Sequence, residues 1–206
     1  MAKHTIRATD LLNINNNAER NTVEFITTLA TDFESLVKRM LASAKRGHVS
    51  PTDASHARNL IRTLFALVEG TVFVMKIEAL FTAEEQGAEL SFHETALVFE
   101  KRPDINDRGD IFVHSANITL ERNIRFAFKI CSRVFKCTNT LDTNSDWWHA
   151  LQRSRRVRDR LMHPRFPDDL DMRPKEIIDA ITAQRGFMKA TLDLLRLRPE
   201  SVFKKA

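Results

Sequence analysis

The sequence predicts an all-α fold, an up-down bundle of about five long helices, on three observations. Chain breakers are scarce, with 5 Gly and 6 Pro in 206 residues. Apolar residues recur at helical spacing over long stretches rather than alternating. Capping residues stand where those stretches begin. A chain of this length fills one sizeable core, and its 43% hydrophobic and 29% charged residues are the balance of a globular protein.

Residues 1–17 are polar, end in Asn15-Asn16-Asn17 and read as a loose arm. From Ala18 to about Arg46, Ile26, Leu29, Ala30, Phe33, Leu36, Val37, Met40 and Leu41 follow the i, i+3, i+4, i+7 rule. Gly47 stops that helix. Ser50 as N-cap and Pro51 at the first position open the next. Its apolar residues are Leu60, Ile61, Leu64, Phe65, Val68, Val72, Met75 and Leu80, and between Leu64 and Met75 it is apolar on most sides. Glu69 lies inside that stretch, and such a carboxylate either meets a partner or reaches a rim.

Residues 83–117 are the least regular and read as an insertion between core helices. They hold a short helix over Ser91 to Glu100, a turn at Asn106-Asp107-Arg108-Gly109 and an extended piece at Ile111-Phe112-Val113. A third long helix is expected from about Ile118 to Thr138, striped by Leu120, Ile124, Ala127, Cys131 and Val134. Asn144-Ser145-Asp146 caps a fourth, which begins Trp147-Trp148 and is stopped by Pro164 and Pro167. The last opens at Arg173-Pro174-Lys175-Glu176 and runs to about Leu197, with a tail over 198–206. The bundle thus covers residues 18–197.

The fourth helix holds the residue that does not fit. With Trp147 at zero and about 100° per residue, Leu151, Ser154, Leu161 and Met162 fall within about 60° and define the inward face. Arg158 falls near 20°, in its middle, whereas Arg153, Arg156 and Arg160 fall at about 240°, 180° and 220°, and Arg155 near 80°. Most of the run Arg153-Ser154-Arg155-Arg156-Val157-Arg158 is therefore a solvated basic face. A guanidinium in an apolar setting is paired, or faces a cleft or a second subunit. For Arg158 that leaves a structural ion pair, with Glu69 or Glu121, or an anion-binding site. His163 precedes Pro164, which pushes it out of the α region. The helix then ends at Met162 and His163 is free to swing back toward Arg158. Arginine holds a phosphate with a fixed fork, and histidine moves protons near neutral pH. Together they form a phosphate-handling pair.

The run Arg158-Asp159-Arg160-Leu161-Met162-His163-Pro164 resembles the active-site signature of HEPN-domain ribonucleases, in which an arginine, usually followed by a polar residue, precedes a histidine by four to six residues. The helical setting, with the motif near the end of a late helix, is similar too. The resemblance implies cleavage of RNA without metal or cofactor, to 2′,3′-cyclic phosphate and 5′-hydroxyl ends, at a composite site between two copies. It implies that His163 moves the proton, Arg158 holds the phosphate and Asp159 orients the pair. Arg153, Arg155, Arg156, Arg160 and Arg165 would contact flanking phosphates. It further implies a toxin or phage-defence effector, accompanied by an antitoxin or other regulatory protein. The other reading is a catalytically silent HEPN-like bundle that binds a protein or a nucleotide.

The remaining features narrow the field. A formal charge of +5 and a pI near 9.5 suit an RNA partner and suit solubility equally. No phosphate-binding glycine loop, His-Glu-x-x-His or Gly-x-Ser-x-Gly occurs. His4, His48, His56, His93, His114, His149 and His163 include no i, i+4 pair, so no zinc site is expected. Cys131 and Cys137 lack metal or redox spacing and read as buried thiols in a reducing compartment. The polar N-terminus carries no apolar stretch of signal-peptide length, and Leu64 to Met75 is too short to span a bilayer, so a cytoplasmic protein without membrane attachment is expected.

Overall fold

A computed structural model describes residues 18–46 and 51–197, and side chains at 24, 26–42 and 53–197. About 72% of the described residues are helical. The elements are α1 (Ala18–Arg46), α2 (Pro51–Glu85), α3 (Phe92–Val98), β1 (Lys101–Ile105), β2 (Ile111–Ser115), α4 (Leu120–Val134), α5 (Asp146–Met162), a 3₁₀ turn (Pro167–Leu170) and α6 (Pro174–Arg196). The arm at 1–17, the tail at 198–206, and the expected stop at Gly47 and cap at Ser50 lie outside the described residues. Among the described residues no helix is long and apolar enough to cross a membrane.

Two compact units divide the described residues, one formed by residues 21–46, 51–71 and 140–193, the other by 18–20, 72–139 and 194–197. Helix α2 passes from one into the other between Thr71 and Val72. This is why it is apolar on so many sides: Leu60, Ile61, Leu64, Phe65, Leu67 and Val68 are buried in its first part, and Val72, Met75, Ala79, Leu80 and Ala83 in its second.

In the first unit the α2 residues share the core with Trp148, Leu151, Val157 and Leu161 of α5 and Ala180, Ala183 and Phe187 of α6. Helix α1 has the expected apolar period, yet only Phe33 of its stripe is buried; the rest is half-covered and Leu41 is exposed. Trp147 lies edge-on to both Trp148 and Phe187, at centroid distances of 5.7 and 6.4 Å. It also lies directly over Gly186. A Cβ built there would overlap the Trp147 Cβ, Cγ and Cδ1 atoms, so this glycine exists for close approach and not for an unusual φ.

The second unit contains the irregular segment. Helix α2 ends at Glu85 and is closed by Gly87, whose φ of +66° allows the Gly87 amide to donate to the Glu84 carbonyl and the Ala88 amide to the Ala83 carbonyl. Ser91 caps α3 in a reciprocal box with Glu94. Strands β1 and β2 pair antiparallel, with Lys101 opposite Ser115 and Ile105 opposite Ile111. Helix α4 spans Leu120–Val134, shorter than the expected 118–138. Its exit is made by Lys136, a non-glycine residue at φ +55°, which lets the Cys137 amide donate to the Ser132 carbonyl. Cys131 is buried with its thiol on the Met75 carbonyl, and Cys137 is half-buried, which pushes its thiol pKa up.

The base of the hairpin is fixed by a charge. Lys76 of α2 has a side chain 0% exposed, and its ammonium donates to Glu100 Oε1 at 2.7 Å and Asn123 Oδ1 at 3.0 Å. The Asn123 amide donates to the same Glu100 oxygen at 2.8 Å. Burial pushes the Lys76 pKa below the ordinary lysine value, against the pull of Glu100. For Glu100 burial acts upward, but the hydrogen bonds from Lys76 and Asn123 outweigh it and hold the carboxyl below its usual range. Glu100 sits at φ +54°, an uncommon conformation outside glycine, held by these bonds and by its carbonyl, which accepts from Ala116.

Two measurements test this packing. Gly186→Ala in a helix interior ordinarily stabilises by about 0.5–1 kcal/mol; here overlap with Trp147 reverses the sign, with an expected loss of about 1–3 kcal/mol in thermal unfolding. A carboxyl whose pKa is depressed by folding stabilises the fold above its unfolded pKa, and that stability is lost as pH falls through the folded value. Chemical denaturation from neutral pH down through the carboxylate range should therefore show Glu100→Gln less stable than the parent at neutral pH, with a shallower decline on acidification.

Candidate functional site

Helix α5 carries the motif and lies in the first unit. Ser145 takes the N-cap conformation at φ −71° and ψ 153°, without a side-chain cap bond, and Asp146 occupies the first turn. Its buried residues are Trp148, Ala150, Leu151, Ser154, Val157 and Leu161. Trp148 lies at about 100° on the helical wheel, and Ala150 and Val157 at about −60° and −80°, so covered residues stand on both sides of Arg158. Met162, expected to face inward, is 53% exposed. Arg158 lies within the covered face, and its side chain is 33% exposed.

Arg158 rests on one face of α2. Its guanidinium carbon lies 5.0 Å from the centroid of the buried Phe65 ring. Its Nη1 donates to Glu69 Oε1 at 2.7 Å. Phe65 and Glu69 are i, i+4 neighbours and present the ring and the carboxylate together. Of the two partners left open by the sequence, Glu69 is the one used, and its side chain is 45% exposed. The contact engages one nitrogen of the fork; among the described residues no other hydrogen bond holds the Arg158 side chain.

The other arginines of α5 differ. Arg153 donates through Nε and Nη2 to both oxygens of Asp179, at 2.9 and 2.8 Å, and this carboxylate raises its pKa further. Arg160 donates through Nη2 to both oxygens of Glu176, each at 3.0 Å, and through Nη1 to the carbonyls of Asp169 and Asp171, at 3.1 and 2.8 Å. The expectation that most of these outward arginines form a solvated face is thus corrected for two of them: Arg153 and Arg160 are forks that join α5 to α6 and the preceding turn. Arg155 lies 3.7 Å from Asp159, and Arg156 and Arg165 are exposed.

The end of α5 is also ordered. The His163 amide still donates to the Asp159 carbonyl at 3.1 Å, and the chain leaves the helix at His163 itself, with φ −130° and ψ 56°. Its Cα therefore stays on the helical path, about 140° round and 7.5 Å along from Arg158. The expected swing toward Arg158 is not made: His163 is exposed, and no hydrogen bond or ion pair joins it to Arg158 or Asp159 through the side chains among the described residues. Asp159 does not bridge the pair either; its carboxylate is exposed and turns to Arg155. Beyond His163, Asp169 accepts from the amides of Arg165 and Phe166, bonds that lower its pKa, and so closes the 3₁₀ turn.

What the site offers is a half-open arginine fork on an apolar ledge and an exposed imidazole further along the same helix. Ser154, one turn before Arg158, is fully buried, and its hydroxyl has no hydrogen-bond partner among the described residues. No group of three or more His, Cys, Asp or Glu side chains among the described residues is placed to hold a metal. No protein-family model, curated protein or solved structure matches the chain.

The division among the arginines predicts different costs. Arg160→Ala removes a bidentate pair and two carbonyl contacts and should lower unfolding free energy by about 1.5–3 kcal/mol, as for hydrogen bonds to charged groups. Arg156→Ala should stay within about 0.5 kcal/mol of the parent. Denaturant unfolding of the two variants side by side checks this.

Proposed function

We propose that the chain is a metal-independent endoribonuclease of the HEPN type, working through Arg158 and His163. The observation that carries the reading is that Arg158, alone among the arginines of α5 set on its covered face, is held by one nitrogen and reaches solvent. A fork so placed can exchange Glu69 for a phosphate, or hold a phosphate with its remaining donors. In the reaction, His163 takes the proton of a ribose 2′-hydroxyl as its oxygen attacks the adjacent phosphorus. The bond to the 5′-oxygen breaks, and that oxygen leaves protonated by a second acid, supplied by His163 of another copy. Arg158 stabilises the charge that develops on the phosphoryl oxygens. This division of labour accommodates the separation of Arg158 and His163 along one helix, because each can serve a site completed by a second copy. Arg155, Arg156 and Arg165 are the cations available for flanking phosphates; Arg153 and Arg160 are held within the fold.

One observation favours a second reading. Arg158 already has a carboxylate partner and His163 points to solvent apart from it, as expected of a silent helical module that binds a protein or nucleotide. Cleavage of mixed RNA in EDTA distinguishes them. The parent should generate cyclic-phosphate ends, and folded His163→Ala should lose about 10²–10⁴-fold in rate, the usual weight of general acid–base catalysis. Arg158→Lys, which keeps charge but not the fork, should also lose activity. No cleavage by the parent, or equal cleavage by all three proteins, favours the silent module.

A further inference from the structure

The β-hairpin exposes an uncovered edge whose own sequence is complementary to itself. The Asn106 amide donates to the Asp110 carbonyl at 3.1 Å and the Ala116 amide to the Glu100 carbonyl at 2.7 Å. With the register Lys101↔Ser115 to Ile105↔Ile111, even-numbered residues direct their backbone groups across the hairpin and odd-numbered ones outward. On β1 the central outward residue is Pro103, which has no N–H, so that edge is blunted. On β2 the outward residues Ile111, Val113 and Ser115 all keep theirs. The sheet has two strands among the described residues.

The side chains point the same way. Pro103, Ile105, Ile111 and Val113 share one face, and the last three are 66%, 75% and 59% exposed. An isolated two-stranded hairpin is marginal in water, and a contiguous uncovered apolar face marks an interaction surface. On the other face Phe112 packs edge-on to His114 at 4.5 Å, and His114 bonds Asp104 at 3.0 Å.

We propose that two copies of this chain pair antiparallel through β2, with Phe112 on the two-fold axis. The segment Asp110-Ile111-Phe112-Val113-His114 then lies against its own reverse. Phe112 meets Phe112 of the second copy, Ile111 meets Val113, and Asp110 meets His114, so every apolar residue faces an apolar one and the acid faces the base. The bonds needed are those of the outward groups of Ile111 and Val113, and the product is a four-stranded sheet with one continuous apolar face. The charges of the whole hairpin also suit a self-pairing element: Lys101, Arg102 and Arg108 balance Asp104, Asp107 and Asp110. The pairing is independent of the ribonuclease reading and stands whether or not RNA is cleaved.

Sedimentation of the full chain over a range of concentrations should show a monomer–dimer equilibrium. Val113→Pro removes an outward N–H without touching the bonds within the hairpin, and should leave the far-ultraviolet spectrum unchanged while shifting the equilibrium to monomer. Phe112→Cys places two thiols at a closely spaced, non-hydrogen-bonded pair, with Cα atoms about 4.5 Å apart, and should give a disulfide-linked dimer on mild oxidation. Arg102→Cys, on the other strand, should not. A parent that is monomeric throughout, or a dimer that survives Val113→Pro while Phe112→Cys fails to cross-link, overturns the proposal.

Discussion

The candidate site depends on the two arginine forks that tie α5 to α6. Arg153 on Asp179 and Arg160 on Glu176 are bidentate and lie about two turns apart, so they fix both the rotation and the height of α5. Bidentate guanidinium–carboxylate pairs add geometric specificity that lysine cannot supply. With α5 so held, Arg158 lies over Phe65 and beside Glu69. The Arg160 fork also orders the 3₁₀ turn beyond His163, since its Nη1 reaches the carbonyls of Asp169 and Asp171. A run of arginines therefore serves two ends, with some side chains holding the scaffold and others left to face solvent.

The second unit uses charge in a related way. The buried Lys76 would be costly alone, and its bonds to Glu100 and Asn123 compensate. Because Glu100 also stands at the start of the hairpin in a left-handed conformation, the lysine fixes the point from which β1 departs. The hairpin beyond is held by its own ladder and by α3, with Ile105, Ile111 and Val113 uncovered.

Much of the helical layout was legible in the sequence because it rests on local rules. The caps and stops around 145–163 and 173–197 carry their signals within a few residues, and the turn at 106–109 and the extended piece at 111–113 were readable, whereas the partner strand Lys101–Ile105 was not. The end of α4 was not legible: a lysine, not a glycine, takes the left-handed position, so the expected helix ran on to Thr138. At the site, the helical period singled out Arg158 and offered Glu69 as a partner. It could not separate Arg153 and Arg160 from Arg156, because outward-facing by angle does not say whether a neighbouring helix brings a carboxylate alongside. Asp179 and Glu176 come from α6, and their pairing is a tertiary fact. Lys76 was missed for the same reason, since an interior lysine is legible only once its two partners are known. Gly186 is a contact site for Trp147, a role that only the packing of α5 on α6 reveals.

The arginines of α5 thus divide into fixed forks and a half-open one. Arginine side-chain nitrogen NMR, with a 2′-O-methyl oligonucleotide titrated into the protein in EDTA, reads that division directly. A saturable shift of the Arg158 Nε resonance is expected, with those of Arg153 and Arg160 unmoved. Shifts at Arg153 and Arg160 with Arg158 silent would contradict it.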